Sequence, residues 1–247
     1  MLNKTTLEEL SKQLQLAAET NAGFEANRTL DEEDAYVIQK LVAASTDGKP
    51  KVWKTGFLST GAVFCAPIAA SQCKFGPANF SAQNFPATYV EGELAFRLNR
   101  VFEAGKSYSD DDILQSINAV SVAIEVLDSR IKNWMEAGEF WHLADRQLNG
   151  ALALGGEVLD CKGVDYATQA VQLYVNGELV VDDVGSHPQR DPTTLLAGFV
   201  RQLTSRGYTF LPGSWVTTGT WTGLSAVKPG DEVLCIFQGL GQASLRL

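Results

Sequence analysis

Two carboxylates, Glu91 and Glu93, stand two residues apart in Tyr89–Leu98, a stretch that otherwise reads as a β-strand. Successive side chains of an extended chain alternate between faces. Val90, Leu94, Phe96 and Leu98 therefore point one way, and Glu91 and Glu93 the other. Like charges side by side repel unless a cation lies between them, and paired carboxylate oxygens on a rigid element suit a hard divalent ion such as Mg²⁺ or Mn²⁺. Taken alone, the pair fits the solvated face of a half-buried strand somewhat better. A third carboxylate shifts that balance. In Val120–Asp128, Val120, Val122, Ile124 and Val126 form one face, and Ser121, Ala123 and Glu125 the other, where small residues leave room for a cavity. A glutamate in so apolar a strand is costly to bury alone, and a cation shared with Glu91 and Glu93 would offset that cost. Asp128 reads as the start of the turn before Arg130.

Other residues carry weaker signals. Lys54 lies just before Gly56 at the end of a short strand, where it could hold a carbonyl or enolate oxygen or assist proton transfer. On its own it reads as a surface lysine. His142 and Asp145 precede the small-residue run Gly150–Gly156. His142 is a general-base candidate, although a histidine beside a tryptophan is usually structural; His187, before Pro188, reads as a loop residue. In Val216–Gly223 a strand runs into a glycine-rich turn able to offer N–H groups and hydroxyls to an anion. Thr218, Gly219 and Thr220 are thus candidates for binding a substrate carboxylate, although turns are rich in these residue types anyway.

The elements that must position these groups can be read from pattern. Thr6–Glu9 has capping-box spacing ahead of Leu7, Leu10 and Leu14, and Thr29–Glu32 leads into Ala35, Ile38 and Val42. These two short helices, residues 1–48, cannot bury much alone and should pack on the larger remainder of the chain or on a neighbouring subunit. From residue 49 to 247 strands and turns dominate. A helix capped by Ser109 is expected to carry Ile113, Ile117 and Val120 on one face. Another should start after Asp191-Pro192, with Leu195, Leu196, Phe199, Val200 and Leu203 inward and Gly207 as its stop. Asn176-Gly177 marks a hairpin, and Pro229–Asp231 opens a last pair of strands. The class is α+β.

The 247 residues, 45% hydrophobic and 20% charged, suffice for a large core. A net charge of −9 argues against nucleic acid as a partner. No apolar run is long enough for a spanning helix and no secretion signal opens the chain, so a cytoplasmic protein is expected. Cys65, Cys73, Cys161 and Cys235 lack the paired spacing of a zinc site and read as reduced thiols.

Together these segments resemble the fumarylacetoacetate hydrolase superfamily, especially its 2-oxopent-4-enoate hydratases and 4-oxalocrotonate decarboxylases. Glu91-Gly-Glu93 matches the family's E-x-E motif, Glu125 its third metal ligand, Lys54 the lysine of K-x-G, and Ala144-Asp145 an Ala-Asp pair. The segment from Thr218 to Val233 is similar to the T-G-T…K-P-G-D motif of acylpyruvate hydrolases. The resemblance implies a mixed β-roll holding Mg²⁺ or Mn²⁺ on Glu91, Glu93 and Glu125, with Lys54, His142 and Asp145 as catalytic candidates and Thr218, Gly219 and Thr220 at the substrate. It implies a 2-oxo acid substrate from aromatic-compound degradation and a homo-oligomer. The catalytic aspartate that hydratases carry before a Phe-Gly pair has no evident counterpart after Gly56, and Asp145–Leu148 replaces their Asp-Asn-Ala-Ser pattern. These departures favour cleavage of an acylpyruvate such as maleylpyruvate or fumarylpyruvate. Hydration or decarboxylation of a 2-hydroxy-2,4-dienoate or 2-oxo-4-enoate stands second. A non-catalytic 2-oxo-acid-binding homologue stands third.

Overall fold

The computed structural model describes residues 1–44, 49–81, 83, 85, 89–159, 161 and 163–247. Two helices come first, α1 (Lys4–Thr20) and α2 (Glu32–Ala44). α1 starts before Thr6: Asn3 is its cap, and the Asn3 side-chain oxygen accepts the Thr6 N–H at 2.9 Å. Leu7, Leu10 and Leu14 of α1, and Ala35, Ile38 and Val42 of α2, are buried as their spacing predicts. The boundary expected at residue 48 lies at positions 45–48, outside the described residues.

The strands build two sheets. The larger contains β1 (Val52–Phe57), β2 (Val63–Ile68), β3 (Cys73–Phe75), β5 (Tyr89–Leu98), β6 (Ile117–Leu127), β7 (Asn149–Val158), β10 (Ser214–Thr220) and β11 (Ser225–Ala226). Its order is β2-β1-β10-β5-β6-β7-β3, with β11 paired to β5. The smaller sheet contains β4 (Ala78–Asn79), β8 (Ala170–Val175), β9 (Glu178–Val184), β12 (Glu232–Phe237) and β13 (Gly241–Arg246), in the order β4-β13-β12-β8-β9. Three further helices, α3 (Asp110–Leu114), α4 (Glu139–Ala144) and α5 (Thr194–Ser205), complete an α+β fold.

Ser109 caps α3, its Oγ accepting the Asp112 N–H at 3.1 Å, but that helix lasts barely more than one turn. Ile117 and Val120, expected on its apolar stripe, already belong to β6. The physical reason is the β-branched series at Val120, Val122, Ile124 and Val126, which favours extended backbone over helix. The α5 residues Leu195, Leu196, Phe199, Val200 and Leu203 are buried, and the helix ends before Gly207, which has φ +82°. Asn176 and Gly177, at φ +52° and +81°, make the predicted hairpin between β8 and β9.

One face of the large sheet carries Leu94, Phe96, Val120, Val122, Ile124 and Val126 into the main core, shared with Val233, Cys235 and Phe237 of the small sheet. The sheets approach closely at two glycines. A Cβ on Gly155 would lie 2.1 Å from the Gln242 carbonyl oxygen of β13, and one on Gly92 would lie 2.6 Å from Cys235 Sγ of β12. The opposite face carries a smaller cluster of Val52, Ile68, Ala95, Ala119, Ala123, Leu152, Leu154 and Trp215. Phe75 of edge strand β3 meets Trp215 of β10 with ring centroids 6.3 Å apart, so the sheet curls over this second face. Among the described residues no helix is long and apolar enough to cross a membrane, and Cys65, Cys73 and Cys235 are free thiols.

Candidate metal centre

Residues paired across neighbouring strands share a face. β5 and β6 pair antiparallel, with Glu91 opposite Glu125 and Glu93 opposite Ala123. The three carboxylates therefore rise from one face, and one oxygen of each lies within 4.8 Å of the others. Glu93 and Glu125 are wholly buried, and Glu91 is partly so. Lys54 reaches them from β1. It sits opposite Thr217 of β10, and Thr217 sits opposite Ala95, two residues from Glu93. Far from being a surface lysine, Lys54 is buried, and its Nζ donates to Glu125 Oε2 at 2.5 Å and to the Gln147 carbonyl at 3.2 Å.

Burial and mutual repulsion set the electrostatics. Burial, followed by the charge of Glu125, pushes Glu91 up to about 7 against the pull of Lys54. Burial and then Glu125 push Glu93 well above the carboxylate range. Burial alone would lower the Lys54 ammonium, but the charges of Glu125, Glu91 and Glu93 outweigh it and hold Lys54 protonated. Were all three carboxylates ionised against the one ammonium, two negative charges would stand uncompensated. Glu93 Oε1 is buried without a hydrogen-bond partner. An all-oxygen donor set with a deficit of two charges and an orphaned lone pair fits one divalent cation.

The Thr217–Thr220 segment is built around Glu93. The Thr217 hydroxyl and the Gly219 N–H, the latter at 3.1 Å, both donate to Glu93 Oε2. Thr220, beyond a register shift, pairs opposite Glu93. Thr218 and Gly219, expected as carboxylate binders, are engaged within the protein. Thr218 is buried, its hydroxyl donating to the Leu94 carbonyl at 3.0 Å, and the Gly219 N–H is spent on Glu93. A register irregularity between Thr217 and Thr220, with Gly219 at φ +97°, brings side chains three apart onto one face. Strict alternation misses Thr217 for that reason. His187 supports the turn from behind. Its Nε2 donates to the Thr218 carbonyl at 2.9 Å while Nδ1 accepts the Gln189 N–H at 3.1 Å, and burial lowers its pKa.

Two other candidates are employed elsewhere. His142, near the end of α4, places Nε2 2.6 Å from the Trp134 carbonyl and packs against the Trp134 ring, so it does not join the carboxylate group. Asp145 is buried with both oxygens committed: Oδ1 accepts from Arg130 Nε at 2.6 Å, and Oδ2 accepts from the Ser129 hydroxyl and the Arg130 N–H at 3.0 Å each. These bonds tie it to Ser129 and Arg130. After Asp145 the chain turns through Arg146, Gln147 and Leu148, all non-glycine residues at φ +53° to +62°. Left-handed backbone costs roughly 1–2 kcal/mol per such residue. The turn leads to Asn149, whose Nδ2 donates to Glu125 Oε1 at 2.8 Å. Asn149 and Arg130 carry no local sequence signal, because their partners lie 15 to 24 positions away. The chain's one Phe-Gly pair, Phe75-Gly76, closes β3, with Lys74 before it. Lys74 Nζ donates to the Asn79 carbonyl and lies over the Phe80 ring, 4.6 Å from its centre.

Known proteins share this arrangement of strands. The 2-hydroxyhexa-2,4-dienoate hydratase of Comamonas testosteroni is 28% identical over 157 residues, and the 4-oxalocrotonate decarboxylase of Pseudomonas putida 30% identical over 157. Each match covers 64% of this chain and 59% of the relative, so the chain aligns with under two thirds of their length. The fold of 4-oxalocrotonate decarboxylase from Pseudomonas putida G7, solved with magnesium and adipate, superposes with a TM-score of 0.85 at 22% identity, covering 100% of this chain and 98% of that one. Fumarylpyruvate hydrolase from Pseudomonas aeruginosa, solved with Mn²⁺ and pyruvate, gives 0.54 at 19% identity, covering 82% and 92%. Residues 47–247 match the fumarylacetoacetate (FAA) hydrolase C-terminal family. With that match running through every strand of both sheets, the chain belongs to the fumarylacetoacetate hydrolase family.

Proposed function

We propose that this protein is a divalent-metal-dependent enzyme acting on a short 2-hydroxy-2,4-dienoate or 2-oxo-4-enoate, adding water or releasing carbon dioxide. The observation that carries the reading is the buried group of Glu91, Glu93 and Glu125 with Lys54 bonded into it. Those three carboxylates would hold the ion. When bound, a divalent ion supplies Lewis acidity to adjacent keto and carboxylate oxygens.

The chain's own residues do the rest. Lys54 keeps its proton and has two of its three N–H bonds committed, to Glu125 and Gln147. The third is available to donate to the oxygen of a developing enolate, where a fixed cation in a dry site stabilises charge most. Thr217 and Gly219 restrain Glu93, and the partly exposed Thr220 is the member of its turn still open toward a substrate. Ala95 and Ala123 leave space on the same face, and Leu152 and Leu154 keep it apolar.

The hydratase and decarboxylase reading stands ahead of acylpyruvate cleavage, because the Comamonas and Pseudomonas relatives that align with this chain are a hydratase and a decarboxylase. Acylpyruvate hydrolysis is the second reading, favoured by the Thr218-Gly219-Thr220 turn and by the departure from the hydratase pattern after Gly56. The test is to incubate the protein with Mg²⁺ or Mn²⁺ and each substrate class. Loss of dienol absorbance without two acid products supports hydration, and release of carbon dioxide from a 2-oxo-enedioate supports decarboxylation. Release of pyruvate from an acylpyruvate selects the second reading. No turnover of any, in metal-loaded protein, overturns both.

A further inference from the structure

The stretch from Asp145 to Asn149 holds three consecutive non-glycine residues in left-handed backbone, and strain of this kind persists only where the surroundings over-determine it. The Leu148 carbonyl accepts the Asp128 N–H at 2.8 Å and Arg146 Nη1 donates to Gln72 Oε1 at 3.0 Å, and one buried side chain, Arg130, joins the two ends. Its Nε donates to Asp145 Oδ1 and its Nη2 to the Asp145 carbonyl, both at 2.6 Å, while Nη1 donates to the Asn149 carbonyl at 2.7 Å. Arg130 thus fastens both ends of the turn. Between them the turn delivers two groups to one ion pair. The Gln147 carbonyl accepts from Lys54 Nζ, and the Asn149 amide donates to Glu125 Oε1, the oxygen that Lys54 does not use.

From this geometry we propose that the Arg130-fastened turn is a positioning device for the Lys54–Glu125 pair, with Asn149 as the positioning residue that orients Glu125 toward the cation. This rests on the proposed metal centre. Without the amide, Glu125 is free to rotate onto Lys54 with both oxygens, and the lysine then competes with the ion for the carboxylate. Groups in this position typically change metal affinity by roughly 10- to 100-fold when removed.

The test is the Mn²⁺ dissociation constant, measured by electron paramagnetic resonance on the purified protein, alongside the melting temperature in EDTA. The Asn149→Ala variant is expected to bind Mn²⁺ roughly 10- to 100-fold more weakly than wild type. A core truncation away from the site, Leu203→Ala, should lower the melting temperature while leaving the Mn²⁺ constant unchanged. Should Asn149→Ala fail to fold, the isosteric Asp145→Asn carries the test. It takes an acceptor from Arg130 without opening a cavity, and the constant should rise several-fold. Wild-type Mn²⁺ affinity in a folded Asn149→Ala protein, or in folded Asp145→Asn where that variant carries the test, overturns the positioning role and leaves the metal centre standing. Absence of Mn²⁺ binding by wild type overturns both.

Discussion

Replacing Glu91 with glutamine should make the metal-free protein more stable at alkaline pH and less able to hold a cation. Glu91 titrates at about 7 in the fold, against 4.5 for an unperturbed glutamate, because burial and Glu125 both disfavour its charge. Below about pH 4.5 the group is protonated in folded and unfolded chains alike and costs nothing. As pH rises from there through about 7, the unfolded chain loses its proton first, and stability falls. At about 1.4 kcal/mol per tenfold the full cost near pH 8 is about 3 kcal/mol, an upper bound given the partial exposure of the side chain. The Glu91→Gln variant lacks this cost. Urea denaturation in EDTA should therefore find wild type and variant alike in acid and about 2–3 kcal/mol apart, in the variant's favour, near pH 8. Adding Mn²⁺ at a hundredfold excess over its dissociation constant should stabilise wild type by about 2.7 kcal/mol and the variant by far less. A variant no more stable than wild type in EDTA, or equally stabilised by Mn²⁺, would refute the electrostatic account.

Lys54→Met, by leaving Glu125 without its cation, should cost about 3–5 kcal/mol in EDTA, and part of that loss should return on adding Mg²⁺, as read by chemical denaturation. Thr217→Val should weaken Mn²⁺ binding and lower stability by about 1–2 kcal/mol, because buried Glu93 Oε2 loses a donor; unchanged Mn²⁺ calorimetry would count against that role. His142→Ala should leave Mn²⁺ affinity at the wild-type value, since its ring serves Trp134, and equilibrium titration checks this directly. Gly92→Ala should cost about 1–3 kcal/mol and disturb the carboxylates on either side, because the new methyl meets Cys235 and Thr222; a wild-type melting temperature would contradict it.

Much of this site could be read from the chain because it lies on regular strands. Alternation put Glu91 and Glu93 on one face, and the same rule put Glu125 opposite the valines of β6. What escaped depends on irregular backbone or distant partners. The register shift between Thr217 and Thr220 puts Thr220 opposite Glu93, so Thr217 and Thr220 share a face that strict alternation would divide between them. Asn149 reaches Glu125 only because a left-handed turn precedes it, and three ordinary residues at Arg146, Gln147 and Leu148 give no hint of such a turn. His142 and Asp145 bond to Trp134 and Arg130, contacts that composition and spacing alone do not reveal.

The glycine between the two glutamates has an architectural effect beyond the site. Its missing methyl lets the Cys235 thiol seat against the back of β5, as Gly155 lets β13 reach β7. The small sheet therefore acts as a fixed anvil behind the acidic pair. Bulk added to either partner must show up as a change in the spacing of the oxygens in front. Substitutions that leave that spacing intact are therefore expected at the rim of the site, away from this backing.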